Sequence, residues 1–314
     1  MTACASSIEE LQDLLARRHA ARKPAPSPDI SRLCRILEHH PEDLTCTVEC
    51  GIPLAQLQRA LARHGQWLPI DPPHPSRVTL ADVIHFNLSG PRRLGHGTIR
   101  DHLIGLDVVL ADGTRVRSGG RVVKNVAGYD LHKVFVGARG CLGVPVIANL
   151  RLLPLPAAAA LLECVQPDLP AALRLAAAAR RRFQPVALDV HRTDSAGGPC
   201  TVSIEFAGAA ADVDLQRGQA EAMGFDREGA PGWDERLLPE PGVVPSSFSV
   251  PPSRLHEAAD PLAGRRFVIR AGIGLAYHDG PPIPALQPSA PAPRFLLERL
   301  KAALDPNAVL PPLP

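Results

Sequence analysis

The segments NLSGPRR (residues 87–93), HGTIRD (96–101) and KNVAGYD (124–130) lie in one stretch, 67–146, around which the chain is organised. Glycine and serine in such turns let backbone N–H groups approach a ligand closely, and several N–H groups that point one way form a concavity suited to phosphate. Neighbouring arginine and lysine side chains supply the positive charge that a diphosphate needs. The stretch therefore predicts a site for a dinucleotide or another phosphate-bearing cofactor.

Several strings in this stretch resemble one known family in both content and order. They are SGPRR (89–93), GTIRDHLIGLDVVLADG (97–113), GGRVVKNVAGYDLHKVFVG (119–137) and GCLGV (140–144). Together they resemble the FAD-binding domain of the PCMH type, also called the vanillyl-alcohol oxidase type, and within it the FAD-binding GlcE-type subunits of glycolate oxidase. The resemblance is dense over residues 45–156 and thinner toward the C-terminus. Several separate motifs in one order are far more specific than a lone glycine-rich turn.

The resemblance implies FAD as the cofactor and a set of residues that bind it. These residues are Thr79, Asn87, Ser89, Gly90, Arg92, Gly97, Thr98, Arg100, Lys124, Asn125, Ala127, Gly128, Tyr129, Gly143 and Val144. In the family, the turn at 124–130 lies nearest the flavin ring and the segment 140–146 supports the adenine end. The loop whose histidine some members join to flavin has no counterpart here, so the implied FAD is noncovalent. No residue is assigned as a catalytic acid or base.

Other features depart from the family pattern and keep a second hypothesis open. The segment KPAPSPD (23–29) stands where the family has a glycine-rich loop that wraps the diphosphate. Pro145 removes a backbone donor near the adenine end, and the chain ends in Pro-Pro-Leu-Pro (311–314) in place of Asn-Pro-Gly-Arg. These changes favour a degenerate, non-catalytic scaffold subunit that retains the fold but has lost FAD.

Asp82 is a further departure, because Leu80-Ala81-Asp82 replaces two glycines that pack under the diphosphate in the family. A carboxylate about 4 Å from a phosphate charge would cost about 4 kcal/mol at an effective dielectric constant near 20. The alternative is that Asp82 points outward or caps the following turn through its backbone N–H groups.

Composition excludes several classes of function. The net charge of +2 and the aromatic content of 4% argue against nucleic-acid binding, which needs a concentrated basic face or stacking platforms. No stretch is long and apolar enough for membrane insertion, and no signal peptide is visible, so a cytoplasmic location is expected. The seven cysteines are scattered as in a reduced protein. Cys46 and Cys50 could form half of a metal site, although the core is the favoured place for them, and no metal is expected.

The predicted fold class is α+β, with a two-part PCMH-type FAD-binding domain followed by a ferredoxin-like cap domain. Ser6 and Glu9 predict a capping box at the start of a helix over 6–22, and the alternation over 44–51 predicts a half-buried strand. Asp112-Gly113 predicts the turn of a hairpin over 103–120. The predicted domains are 1–156, the cap at 157–280, and a Pro-rich linker with a C-terminal helix at 281–314.

The second half reads in the order β-α-β-β-α, which is typical of a ferredoxin-like arrangement. The segment 265–280 then reads as one returning strand. Arg270, Tyr277 and His278 on it either reach a substrate carboxylate or are plain strand-edge residues. Similarly, Arg100 either contacts the cofactor or pairs with Asp101.

The leading functional hypothesis is an FAD-binding subunit of a glycolate-oxidase-like, flavin-dependent 2-hydroxy-acid oxidoreductase complex. The resemblance implies two partners, which are a second flavoprotein subunit and an iron–sulfur subunit. A small 2-hydroxy acid is the substrate implied for the complex as a whole.

Overall fold

The structure is a computed structural model that describes residues 3–25, 28–120, 130–194, 197–232, 234–235, 246–283 and 294–313. Its contacts divide the chain into two compact units. Unit 1 comprises residues 1–89, 98–155 and 291–314, and unit 2 comprises residues 90–97 and 156–290. No sequence pattern signals the short excursion of 90–97 into unit 2.

The elements alternate between helices and short strands throughout the described residues. The strands are β1 (Ala3–Cys4), β2 (Pro28–Asp29), β3 (Ile36–His40), β4 (Thr45–Glu49), β5 (Gln66–Trp67), β6 (Leu103–Val109), β7 (Arg115–Gly119), β8 (Val144–Arg151), β9 (Leu153–Pro154), β10 (Ala158–Gln166), β11 (Ala187–Arg192), β12 (Cys200–Gly208), β13 (Arg227–Glu228), β14 (Ser246–Ser249), β15 (Phe267–Arg270) and β16 (Leu275–His278). The helices are α1 (Ile8–Ala20), α2 (Leu54–Ala62), α3 (Leu80–Phe86), α4 (Arg93–His96), α5 (Ile99–His102), α6 (Leu169–Arg182), α7 (Ala210–Glu221) and α8 (Arg294–Leu304). Short 3-10 helices cover Pro41–Asp43, Leu131–Val134 and Pro252–Ala258.

Unit 1 is built on an antiparallel sheet whose order, within the described residues, is β3-β4-β8-β6-β7. The central strand β4 is buried on both faces rather than half-buried as the alternation predicts. Its polar side is closed by partners, since the Thr47 hydroxyl donates to Asn149 Oδ1 at 2.8 Å and Arg35 donates to the Glu49 carboxylate at 2.7 Å. On its other side, Cys46 lies in the apolar core, where burial raises the pKa of its thiol to about 12.

The helix and hairpin predicted in this unit are present, with one correction at the helix start. Helix α1 is capped by Ser7, whose side chain accepts the Glu10 N–H at 3.2 Å, and the Ser6 N–H donates to the Glu10 carboxylate. The predicted box of Ser6 with Glu9 is therefore wrong by one residue, because two adjacent serines can each start the helix. The hairpin β6–β7 turns at Gly113, whose φ of +84° favours glycine.

Unit 2 contains an antiparallel sheet whose described strands run in the order β13-β10-β12-β11-β15-β16-β14. Its first four strands, taken with α6 and α7, have the order and crossovers of a ferredoxin-like fold, as predicted. One face of the sheet is apolar and shares a core with α6 and α7. Alternation along β11 and β12 sends Asp189, His191, Ser203 and Glu205 to the opposite face, where all four are also buried.

The returning strand predicted at 265–280 is wrong, because the segment forms the hairpin β15–β16. Strand β16 also pairs with β14, so the sheet gains three strands beyond β11. Gly274 makes the turn possible. It has a φ of +75°, and a Cβ atom there would lie 1.9 Å from the carbonyl oxygen of Val250.

Arg270 is fully buried at the end of β15 between two carboxylates. It donates to Asp189 and, at 2.7 Å, to Asp234. Burial alone would lower the pKa of Arg270, but the two carboxylates outweigh it and raise that pKa. The guanidinium is therefore an internal ion-pair partner. It is neither a strand-edge residue nor a group free to receive a substrate carboxylate.

We expect Gly274→Ala to lower the free energy of unfolding by about 3 kcal/mol, because alanine meets both an unfavourable φ and a backbone oxygen. Gly218→Ala is the matched control, since Gly218 lies in α7 with nothing within 4 Å of a Cβ. Alanine is the better helix former by about 1 kcal/mol, so this variant gains stability. Urea unfolding of both variants checks the pair, and equal stabilities would contradict the hairpin geometry.

We expect Asp234→Ala to destabilise the chain by about 3 kcal/mol, because it removes one partner of a buried ion pair. The exposed pair between Arg217 and Glu221 provides the control, since Glu221→Ala is expected to change the unfolding midpoint little. Thermal and urea unfolding of both variants measure the difference. A loss for Asp234→Ala no larger than that of the control would show that the buried contact is absent.

Candidate cofactor site

The start of α3 is closed by a reciprocal capping box between Thr79 and Asp82. The Asp82 carboxylate accepts hydrogen bonds from the Thr79 N–H at 2.9 Å and from the Thr79 hydroxyl at 2.7 Å. In return, the Asp82 N–H donates to the Thr79 hydroxyl oxygen at 3.2 Å. Asp82 therefore caps its own helix start, so it turns back to the residue that precedes the helix instead of capping a following turn.

The next two backbone donors of this helix start are also occupied. The Leu80 N–H donates to the carbonyl of Ile52 at 2.9 Å, and the Ala81 N–H donates to the carbonyl of Cys50 at 2.7 Å. Both side chains are buried in the core of unit 1. Helix starts bind anions through N–H groups that lack an internal partner. Here those groups already have partners.

A similar arrangement closes the start of α5. The Asp101 carboxylate accepts from the Thr98 N–H at 2.8 Å and from the Thr98 hydroxyl at 3.2 Å. Burial would raise the pKa of Asp101, but the hydrogen bonds from Thr98 outweigh it and lower that pKa. Arg100 does not pair with Asp101, because its guanidinium donates to the carbonyl of Lys133 at 2.8 Å.

Asn87 ends α3 in the left-handed conformation, with a φ of 48°. Its side-chain Oδ1 is buried and has no hydrogen-bond partner among the described residues. The loop that follows β7 in sequence packs here, since Gly137 donates its N–H to the carbonyl of Ile84 at 2.9 Å. Asn87 is the one predicted residue of the described set whose side-chain oxygen is buried and unsatisfied.

His85 lies in the same region, and sequence reasoning misses it. A hydrogen bond to the backbone of Gly143 holds its ring, and its Nε2 atom is buried without a partner among the described residues. Burial lowers the pKa of His85, so the ring is neutral near pH 7. Gly140 faces the ring, because a Cβ there would lie 3.5 Å from it. Helical spacing gives no signal that separates such a histidine from an ordinary core residue.

Gly143 and Val144 have a packing role in the structure. A Cβ on Gly143 would lie 2.4 Å from the Val108 side chain, so β6 requires glycine there. Val144 is buried at the start of β8 and pairs with Val109. The next residue, Pro145, lies where the register between β6 and β8 shifts, which is an ordinary place for proline in a sheet.

Three predicted residues, Gly90, Arg92 and Gly97, belong to unit 2. Arg92 forms a two-pronged ion pair with Glu205 of β12, with a shortest N–O distance of 2.6 Å. Gly97 ends α4 at φ 79° and ψ −147°, which strongly favours glycine. Ser89 is half-buried and belongs to unit 1. The remaining predicted residues, Lys124, Asn125, Ala127, Gly128 and Tyr129, lie outside the described residues.

Tyr277 and His278 occupy β16, and neither is a free strand-edge group. Burial raises the pKa of the Tyr277 hydroxyl. The His278 ring lies 2.8 Å from the carbonyl of Asp279 through Nδ1. Among the described residues no cluster of three or more His, Cys, Asp or Glu side chains has metal-binding geometry. None of the described helices is long and apolar enough to cross a membrane.

The residues at the start of α3 do not fit the diphosphate of FAD. A diphosphate needs unpaired N–H donors and a positive field. The described helix start offers donors that are already bonded, together with the negative charge of Asp82. No chemical step is therefore derived through a cofactor held at this position.

Comparison with known proteins identifies the type of domain to which unit 1 is related. Residues 29–119 match the family model described as "FAD binding domain". The chain is 40% identical over 124 residues to glycolate oxidase subunit GlcE of Escherichia coli (strain K12), which covers 39% of this chain and 35% of that protein. It is 43% identical over 122 residues to glycolate oxidase subunit GlcD of Bacillus subtilis (strain 168), covering 39% of this chain and 26% of that protein.

A D-lactate dehydrogenase of Archaeoglobus fulgidus is 36% identical over 141 residues, which is 44% of this chain and 31% of that protein. Each of these matches spans about a third or less of the relative's length. Among solved structures, an alkyldihydroxyacetonephosphate synthase aligns with 98% of this chain and 74% of its own, at a TM-score of 0.70 and 17% identity. The α+β fold predicted from the sequence is thus confirmed, and residues 29–119 carry the sequence of an FAD-binding domain of the PCMH type.

Proposed function

We propose that this chain is an FAD-binding subunit of a flavin-dependent 2-hydroxy-acid oxidoreductase complex of the glycolate-oxidase type. The observation that carries the proposal is the FAD binding domain match at 29–119, together with relatives named as glycolate oxidase subunits and D-lactate dehydrogenases. Those relatives are named for reactions on 2-hydroxy acids. A small 2-hydroxy acid is accordingly the substrate that we assign to the complex.

FAD, when bound, would supply the hydride and electron chemistry, while the protein positions and encloses it. Oxidation of a 2-hydroxy acid to a 2-oxo acid releases two electrons and two protons. The segment 124–129 is assigned to the flavin end by resemblance, and Asn87 is assigned to the same noncovalent site. The unsatisfied Oδ1 of Asn87 supports its assignment, because a buried acceptor without a donor is costly.

The hydroxy-acid chemistry is placed on a second flavoprotein subunit, and an iron–sulfur subunit is proposed to carry the electrons onward. The chain matches both the GlcE and the GlcD protein at similar identity, which supports a complex of related subunits. Two buried or half-buried arginines of unit 2 are already paired, Arg92 with Glu205 and Arg270 with Asp189 and Asp234. A substrate carboxylate would have to compete with carboxylates that these arginines already hold.

The second candidate is a scaffold subunit that retains the fold and the subunit contacts but holds no FAD. The closed start of α3 favours it, because neither Thr79 nor the two residues after it offer a backbone donor to a diphosphate. The short segment 23–29 favours it as well, since no glycine-rich loop follows α1.

The visible absorption spectrum of the full chain, purified with its co-expressed partners, separates the two candidates. We expect the absorption bands of a flavin, and acid precipitation should release the flavin because it is bound noncovalently. The partner subunits purified without this chain are the control for flavin that they carry themselves. An unchanged flavin content per complex with and without this chain, even after soaking in FAD, would reject the FAD-binding function in favour of the scaffold.

A further inference from the structure

We infer that the Asp82 carboxylate acts as a built-in anion, so that this chain does not hold the diphosphate of a flavin dinucleotide at the start of α3. The inference rests on the proposed function and specifies which half of the cofactor is bound. Any flavin affinity then comes from the flavin half, and the adenosine diphosphate half adds little. Asp82 becomes the residue that determines this selectivity.

The hydrogen-bond donors at the helix start carry the first step. The carboxylate of Asp82 takes both donors of Thr79, which are its N–H and its hydroxyl. The N–H groups of Leu80 and Ala81 point to carbonyls of the 50–52 turn. A phosphate oxygen arriving here would have to break these bonds and form the same number, so no bond is gained.

The charge at the helix start carries the second step. The first turn of a helix has a positive partial charge that favours one anion nearby. The Asp82 carboxylate already uses that charge at hydrogen-bond distance. A second anion beside it would be repelled, and near a protein surface the repulsion at a few ångströms amounts to a loss of about tenfold or more in affinity.

The unequal role of two similar helix starts makes the inference testable. The pair of Thr98 and Asp101 at α5 has the same carboxylate-to-threonine bonds as the pair of Thr79 and Asp82 at α3. Replacing either aspartate by asparagine keeps an oxygen acceptor for the threonine and removes only the charge. The two variants should therefore lose similar amounts of stability, while only one of them alters ligand selectivity.

The experiment measures dissociation constants of the full chain for FAD, riboflavin and ADP by fluorescence and calorimetry. The wild-type chain should bind FAD and riboflavin with constants within about threefold of each other, and ADP should not compete. Asp82→Asn should shift the preference toward FAD by about tenfold or more, because the repulsion is removed. Asp101→Asn should leave the preference unchanged, and thermal unfolding should confirm that both variants are folded.

Contrary results separate this inference from the proposed function. A wild-type chain that prefers FAD over riboflavin by about a hundredfold, with competition from ADP, would overturn the inference and leave FAD binding in place. An unchanged preference in folded Asp82→Asn would overturn the role of Asp82. If neither flavin binds to the wild-type chain or its complex, the FAD-binding function falls, and ADP binding gained only by Asp82→Asn still supports the inference.

Discussion

Two hydrogen bonds from Thr79 to the carboxylate of Asp82 determine what the N-terminal unit of this protein can do. Every helix start leaves N–H groups that need acceptors. This chain satisfies them from within, with one side chain and two carbonyls of the preceding turn. The same bonds that stabilise α3 and dock it on the core remove the donors that a diphosphate would use. Stability and ligand binding thus compete for one set of N–H groups.

The second unit meets the same constraint in a different way. One face of its sheet is apolar, and the other buries charged groups that must be paired to avoid a large desolvation cost. Glu205 pairs with Arg92, and two aspartates enclose Arg270. Such pairs fix the position of the 90–97 segment on this sheet and fasten Asp234 to it. They also leave the arginine guanidinium groups already committed to internal carboxylates.

Much of this architecture follows from local sequence signals. Turn residues and periodicity predict the hairpin at Asp112-Gly113, the helices α2 and α6, and the β-α-β-β-α order of the second half. They do not predict the hairpin at Gly274, because a short glycine-containing turn between two apolar runs reads like one continuous strand. The capping box at α3 has a simple local signal, a threonine and an aspartate three residues apart, yet the resemblance to a cofactor site draws attention to the charge of Asp82 instead.

The candidate site is less predictable than the fold, for a physical reason. Whether Arg92 serves a ligand depends on Glu205, which is 113 residues away, and no local pattern links the two. The unsatisfied atoms of His85 and Asn87 arise from how the loop at 137–143 covers the end of α3. Such contacts depend on tertiary packing, so a single sequence names the candidate residues but not the partners that decide their roles.

Amide hydrogen exchange at Thr79, Leu80, Ala81 and Asp82, measured by NMR with and without FAD, tests the central claim most directly. The closed helix start predicts slow exchange at Leu80 and Ala81 in the free chain, and no change in exchange or chemical shift at these four amides when FAD is added. Fast exchange in the free chain, or protection that appears at these amides only with FAD, would show that the donors are free to hold a diphosphate.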